Sequence, residues 1–182
     1  MNKALLVIDY TNDFVANDGA LTCGQPGQEI EETILNLLET FAVNRDDIIM
    51  AVDSHIEHDD YHPEATLFPA HNINGTAGRD LYRSIKNWYE AHRLNATVTW
   101  LDKTRYSAFV GTTLDLYLRA RNIRELHLVG VCTDICVLHT AVSAYNLGYK
   151  LVIHEAGVAS FNQTGHQWAL NHFKNSLGAE VR

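Results

Sequence analysis

A thiol placed where an apolar run gives way to a helix-like stretch is the first feature of this chain with chemistry in it. In Gly130-Val131-Cys132-Thr133-Asp134-Ile135-Cys136, the last residue falls in the first turn of a helix, with Thr133 or Asp134 as the expected N-cap. The free amides and the positive end of the helix dipole favour a thiolate at Cys136. The same N–H groups suit the oxyanion of a tetrahedral intermediate. A lone cysteine is more often a small buried apolar residue than a nucleophile, so Cys136 needs partners. Two distant residues qualify. Asp9 closes the apolar run Ala4–Ile8, and Lys103 follows Trp100-Leu101-Asp102. If the three converge, Asp9 takes the thiol proton and passes it to a leaving amine, while Lys103 offsets the negative charge. Apart from one another, Asp9 reads as a turn former and Lys103 as a solvated loop residue. Cys132 raises the weaker options of a Cys132–Cys136 disulfide or half a metal site. Cys23 has no evident partner.

A second concentration of reactive groups lies between Asp53 and His71. That stretch holds four of the ten histidines, His55, His58, His62 and His71, together with Asp53, Glu57, Asp59, Asp60 and Glu64. Imidazole and carboxylate together suit zinc, iron or manganese. In an extended Asp53-Ser54-His55, alternation points Asp53 and His55 to the same side. His71 must return from a loop, and Glu64, His58 and His62 compete for a further position. The plain alternative is a polar loop rich in acids and imidazoles.

Groups so far apart need a scaffold that gathers them. Short apolar runs, Ala4–Ile8, Ile48–Val52, Thr97–Leu101, Leu126–Val131 and Leu151–Ile153, alternate with stretches long enough for helices: Glu29–Ala42, Asp80–Leu94, Thr112–Arg121, Asp134–Leu147 and His166–Leu177. Ile30, Ile34, Leu37, Leu38 and Phe41 recur at helical spacing, and Gly148 suits the left-handed position that ends a helix. Strands apolar on both faces belong to a covered parallel sheet. The pattern predicts an α/β fold: a doubly wound, Rossmann-like, mostly parallel sheet with helices on both faces, in one domain spanning residues 1–182. In such sheets function gathers at the carboxyl ends of strands, which is where Asp9, Asp53, Lys103 and the Cys132–Cys136 turn fall.

With 182 residues, 46% of them hydrophobic, the chain can bury a sizeable core. A formal net charge of -8 argues against a nucleic-acid or anionic-membrane surface. No apolar run is long enough for a membrane span, and the run after Met1-Asn2-Lys3 is too short for a signal-peptide core. Three cysteines make no disulfide framework, so the expectation is a cytoplasmic protein.

Four blocks of the sequence, in order, resemble the nicotinamidases of the isochorismatase-like cysteine hydrolase superfamily over essentially the whole chain. They are Ile8-Asp9-Tyr10-Thr11-Asn12-Asp13-Phe14; Asp53-Ser54-His55 through Phe68-Pro69-Ala70-His71 and Gly75-Thr76-Ala77-Gly78; Lys103 through Phe109; and Gly130 through Val137. The resemblance implies an Asp9–Lys103–Cys136 triad that cleaves the carboxamide of nicotinamide through a thioester, giving nicotinate and ammonia. It implies backbone amides of Cys132 and Cys136 as the oxyanion hole, with a cis peptide at Val131–Cys132. It further implies Phe14, Phe68 and Tyr106 around the pyridine ring, and a divalent cation on Asp53, His55 and His71, with Glu64 as the expected further ligand ahead of His58 and His62. Zinc is the first expectation for that ion, with iron or manganese as alternatives. The partner is then a small molecule, with neither nucleic acid nor membrane, and relatives form homo-oligomers. Two readings compete: hydrolysis of another small amide or ureido compound, and a non-catalytic metal- or ligand-binding module. The chain departs from the family's usual pattern at Thr11, where many relatives carry Gln, at Cys132, where Ala is usual, and in lacking a compact His-Pro-x-x-His after His55.

Overall fold

The computed structural model describes residues 2–182. Its sheet contains β1 (Asn2–Ile8), β2 (Asp47–Asp53), β3 (Val98–Lys103), β4 (Ile123–Val131), β5 (Lys150–Ala159) and β6 (Glu180–Val181) in the order β3-β2-β1-β4-β5-β6. Every pairing is parallel. The apolar runs are strands for a simple reason: β1 is wholly buried from Ala4 to Ile8, so both of its faces need apolar side chains. Leu5 and Val7 point to one layer, with Ile34, Leu38 and Phe41 of α3 (Glu31–Asn44) and Ile85 and Trp88 of α4 (Arg83–His92). Ala4, Leu6 and Ile8 point to the other, with Leu114 and Leu118 of α5 (Leu114–Ala120), Ala141 and Ala144 of α6 (Leu138–Asn146), and Ala169, Leu170 and Phe173 of α7 (Gln163–Ser176). This is the doubly wound sheet that the alternation predicts.

The differences from the expected boundaries have local causes. Residues 80–82 are extended rather than helical, because Leu81 bridges Thr11 and Asn12 N donates to Asp80 O at 2.9 Å. β5 runs well past Ile153, across the exposed Glu155 and Ala156 that interrupt its apolar pattern, and shifts register against β4 between Leu128 and Gly130. Two short helices near the site, α1 (Asn12–Val15) and α2 (Gln25–Glu29), are too brief to show a periodicity. Gly148 follows α6 with φ of 83°, and Tyr149 N donates back to Ala144 O at 3.0 Å. Among the described residues no helix is long and apolar enough to cross a membrane.

The strand order matters most for function. The chain winds from β1 outward to β2 and β3, then returns to β4 on the other side of β1. The carboxyl ends of β1 and β4 therefore flank the switch point where an open α/β sheet leaves a crevice. Close packing there is enforced at Gly130, which has φ of 112° and where a Cβ would run into the backbone carbonyl of Ile8.

Candidate active site

Lys103, the last residue of β3, is fully buried at the centre of the crevice. Its ammonium lies 2.5 Å from Asp53 Oδ1, 2.7 Å from Asp9 Oδ2 and 3.2 Å from Arg105 O. Asp9 follows β1 with φ of 53°, a left-handed conformation that Asp tolerates better than most residues. Its Oδ1 accepts from Asp53 N at 2.8 Å. A carboxylate oxygen from each of Asp9 and Asp53 and the Cys136 sulfur all lie within 4.8 Å of one another. The three residues that needed to converge do so. Burial and the neighbouring Asp53 charge push the Asp9 carboxyl up to about 7, against the pull of Lys103. Burial alone would lower the Lys103 ammonium, but the Asp53 and Asp9 carboxylates outweigh it and hold it well above its ordinary value.

The turn carrying the thiol differs from expectation. Thr133–Val137 forms a single π turn ahead of α6, and the residue before it, Cys132, is its N-cap. Cys132 O accepts from Ile135 N at 3.1 Å and Val137 N at 3.2 Å. Neither Thr133 nor Asp134 caps, because both side chains are engaged elsewhere. Thr133 Oγ1 pairs with His166 Nδ1 at 2.8 Å, and Asp134 Oδ1 accepts from Ser160 Oγ at 2.6 Å. The expectation of a thiolate is also corrected. Burial holds the Cys136 thiol well above its usual range, and the pull of Lys103 does not offset it. A resting thiol facing Asp9 places the burden of deprotonation on that carboxylate. The Val131–Cys132 peptide is cis. All three cysteines are free, but Cys23 does have a partner, since its sulfur lies 3.3 Å from that of Cys132.

Beside the triad, one ligating atom from each of Asp53, His55, Glu64 and His71 lies within 4.8 Å of the others, and all four residues are buried. His55 bridges to Ile73, with His55 N on Asn72 O at 3.1 Å and Asn74 N on His55 O at 2.9 Å, and this pairing brings His71 back. Asn72 is anchored in turn: its N donates to Asp13 Oδ2 at 2.7 Å and its Oδ1 accepts from Thr11 Oγ1 at 2.9 Å. His71 Nδ1 bonds Pro69 O at 2.8 Å, which leaves Nε2 facing inward. The Glu64 carboxylate sits 3.5 Å from His71 Nε2 and 3.9 Å from His55 Nε2. Among the described residues, Asp53 Oδ2, His55 Nε2 and His71 Nε2 are buried without a hydrogen-bond partner. Orphaned lone pairs aimed at a common point are costly unless something binds them, and this donor set fits a divalent cation. Burial pulls His55 below its usual range and so keeps it in the neutral, ligating form. Of the competing residues, His58 is exposed and turned toward Glu57, whereas His62 packs at a tilt against His55 and bonds Thr104 O at 2.8 Å through Nε2.

Cys136 opens onto an apolar slot lined by Phe14, Phe68 and Tyr106, together with Leu21, Ile135 and Phe161. The last three were not singled out from the sequence. Phe161 had a positional signal, since it follows β5 at the carboxyl edge of the sheet; Leu21 and Ile135 had none. The side chain of Cys132 also faces this slot.

Compared with known proteins, residues 3–182 match the Isochorismatase family, described as the isochorismatase domain. A Bacillus subtilis relative named "Uncharacterized isochorismatase family protein PncA" is 62% identical over 181 residues, spanning 100% of this chain and 99% of the relative. A crystal structure titled nicotinamidase/pyrazinamidase PncA from Bacillus subtilis superposes with a TM-score of 0.98 at 60% identity, covering 100% of this chain and 99% of that one. A crystal structure titled pyrazinamidase/nicotinamidase from Streptococcus mutans superposes at 0.97 with 51% identity, covering 100% of both chains.

Proposed function

The chain belongs to the isochorismatase family, and from that premise we propose that it is a nicotinamidase, hydrolysing nicotinamide to nicotinate and ammonia through a thioester on Cys136. The observation that carries this reading is the junction of two groups at Asp53. Its Oδ1 bonds the Lys103 ammonium of the triad, and one of its carboxylate oxygens groups with His55, Glu64 and His71. A hydrolase of plain amides needs only the first group; a pyridine carboxamide uses both.

Asp9 takes the proton from Cys136 Sγ, and the sulfur attacks the carboxamide carbon. Backbone N–H groups of Cys132 and Cys136 receive the developing oxyanion. As the tetrahedral species collapses, Asp9 returns the proton to the departing nitrogen and ammonia leaves. Water, deprotonated by Asp9, then attacks the thioester and releases nicotinate and the thiol. Lys103 stays charged throughout and balances the carboxylates on either side. Asp53, His55, Glu64 and His71 would hold the divalent cation, zinc foremost, which when bound supplies a ligand position for the pyridine nitrogen and so orients the ring. Phe14, Phe68 and Tyr106 wall the ring with flat apolar surface. The slot as it stands is ≈ 10 Å³, about the space of one water. Admitting the ring therefore requires the walls to part, and Phe161, 46% exposed, is the wall with most room to move outward.

Ammonia release from nicotinamide by metal-replete protein, lost in Cys136→Ala, tests the proposal; absence of turnover rejects it. Activity on a ureido compound that survives Asp53→Ala and His55→Ala would instead favour another small amide as substrate. A cytoplasmic location accords with three reduced cysteines. A homo-oligomer accords with exposed apolar side chains such as Val43, Tyr61 and Leu94, and light scattering on the purified protein reads it directly.

A further inference from the structure

Two cavities share Glu64 and Phe68 in their walls, and the larger one also reaches His55 and His71. They differ in kind. The slot beside Cys136 is apolar and narrow, ≈ 10 Å³. The other cavity, ≈ 190 Å³, has mixed walls, and its polar side chains run from His58, Asp59 and Asp60 to the buried His55, Glu64 and His71. His55 and His71 are 8% and 2% exposed, and the Nε2 atoms without partners belong to these two rings.

A hydrated divalent cation gives up its water only where polar groups replace it step by step. The apolar slot offers no such replacement, even when its walls part to admit the ring. The larger cavity offers it through Asp59, Asp60 and His62, leading to His55, Glu64 and His71. Its mouth is also acidic: Asp59 and Asp60 line it, and the stretch between Asp53 and Arg79 holds no Lys or Arg. Among the described residues neither Asp59 nor Asp60 enters an ion pair. Clustered carboxylates at the mouth of a cleft raise the local cation concentration and the rate of capture.

We propose that His58, Asp59 and Asp60 form a loading vestibule that captures a hydrated divalent cation and delivers it to the buried ligand group, by a route separate from the substrate's slot. The inference rests on the metal-centre reading above. The vestibule is a route rather than a second resident site, since its outer side chains do not close into a ligand group as the buried four do.

Stopped-flow uptake of Co2+ by the chelator-stripped full chain, followed through the visible absorption of the ion, tests this. Asp59→Asn with Asp60→Asn is the informative variant, because Asn keeps the oxygen that accepts from Tyr61 N at 3.1 Å and so preserves the loop turn. At low ionic strength the variant is expected to load about threefold to tenfold more slowly, and the steep salt dependence of the parent rate should flatten. Phe161→Ala, which opens the apolar slot, should load at the parent rate. Parent-like loading by the double Asn variant, or faster loading by Phe161→Ala, overturns the route while leaving the metal centre intact. Parent protein that takes up no Co2+, or uptake that His71→Ala does not weaken at equilibrium, overturns the metal centre and the route with it.

Discussion

The carboxyl ends of the strands and the loop from residue 54 to 76 build one site by opposite means. Asp9, Asp53, Lys103 and Cys132 stand on or directly beyond strands whose register is set by continuous parallel ladders. Their charges meet one another: a buried ammonium sits between two carboxylates. The loop has one isolated bridge and a few turns, and it brings His55, Glu64 and His71 together with imidazole nitrogens unsatisfied. The strand ends thus satisfy their ammonium within the folded chain, with Asp53 Oδ2 the one oxygen there left to the cation group, whereas the loop's imidazoles need a ligand. Organisation by the sheet and organisation by a cation are separable, and each of the following measurements bears on one of them.

The largest effect is expected from Lys103→Met. It leaves the Asp9 and Asp53 carboxylates buried without their counter-charge, which should cost about 3–5 kcal/mol of stability as well as abolishing turnover. The denaturant midpoint reads the first and ammonia release the second. A variant of unchanged stability would show that the strand ends are not the self-contained unit described.

His71→Ala should act the other way, with a fold near parental stability in chelator but no response to metal. Saturating cation at about 100 times its Kd stabilises a protein by about 2.7 kcal/mol, so chelator should lower the melting temperature of the parent and leave that of the variant unmoved. A metal-dependent melting shift that survives in the variant would break the contrast.

A subtler test uses pH. With Asp9 at about 7, its carboxylate is protonated below that pH and cannot accept the Cys136 proton. Alkylation of Cys136 by iodoacetamide in chelator should therefore fall as pH drops through about 7. Asp53→Asn removes a charge that raises Asp9, so the same limb should move to lower pH. A limb that stays in place would separate Asp53 from the triad.

Smallest of all should be Cys132→Ala, which loses the contact with Cys23 but keeps the backbone amide assigned to the oxyanion. A stability loss of about 1 kcal/mol is expected, with kcat retained within about threefold. A collapse of kcat would assign the thiol itself a part in the reaction.

The same division governs what was legible from residues alone. Strand ends announce themselves, because an apolar run that stops at Asp9 or Asp53 marks both the scaffold and the place where a charge emerges. The doubly wound sheet and the amphipathic α3 follow from that local pattern, whereas the convergence of Asp9, Lys103 and Cys136 was left conditional by it and came from the resemblance. The loop has no period. Choosing among Glu64, His58 and His62 depended on resemblance, and only the bridge of His55 to Ile73 shows how His71 returns. Capping at Thr133 or Asp134 was misread because their side chains bond His166 and Ser160, on segments remote in sequence. Cys23 found Cys132 across 109 positions, a separation that no local pattern spans. The thiolate expectation failed because it counted the helix dipole and left out the cost of burial.

The double engagement of Asp53 has a consequence for redesign. A protein engineer seeking a different heterocycle can vary those positions between residues 56 and 70 that neither hold the cation nor line its cavities, where the backbone owes little to the sheet. Position 53 offers no such freedom. A replacement chosen to tune ion preference there would also unbalance the ammonium beneath it, so selectivity and turnover cannot be optimised independently at that residue. Variant libraries that hold it constant and diversify the loop around it should lose far fewer members to misfolding.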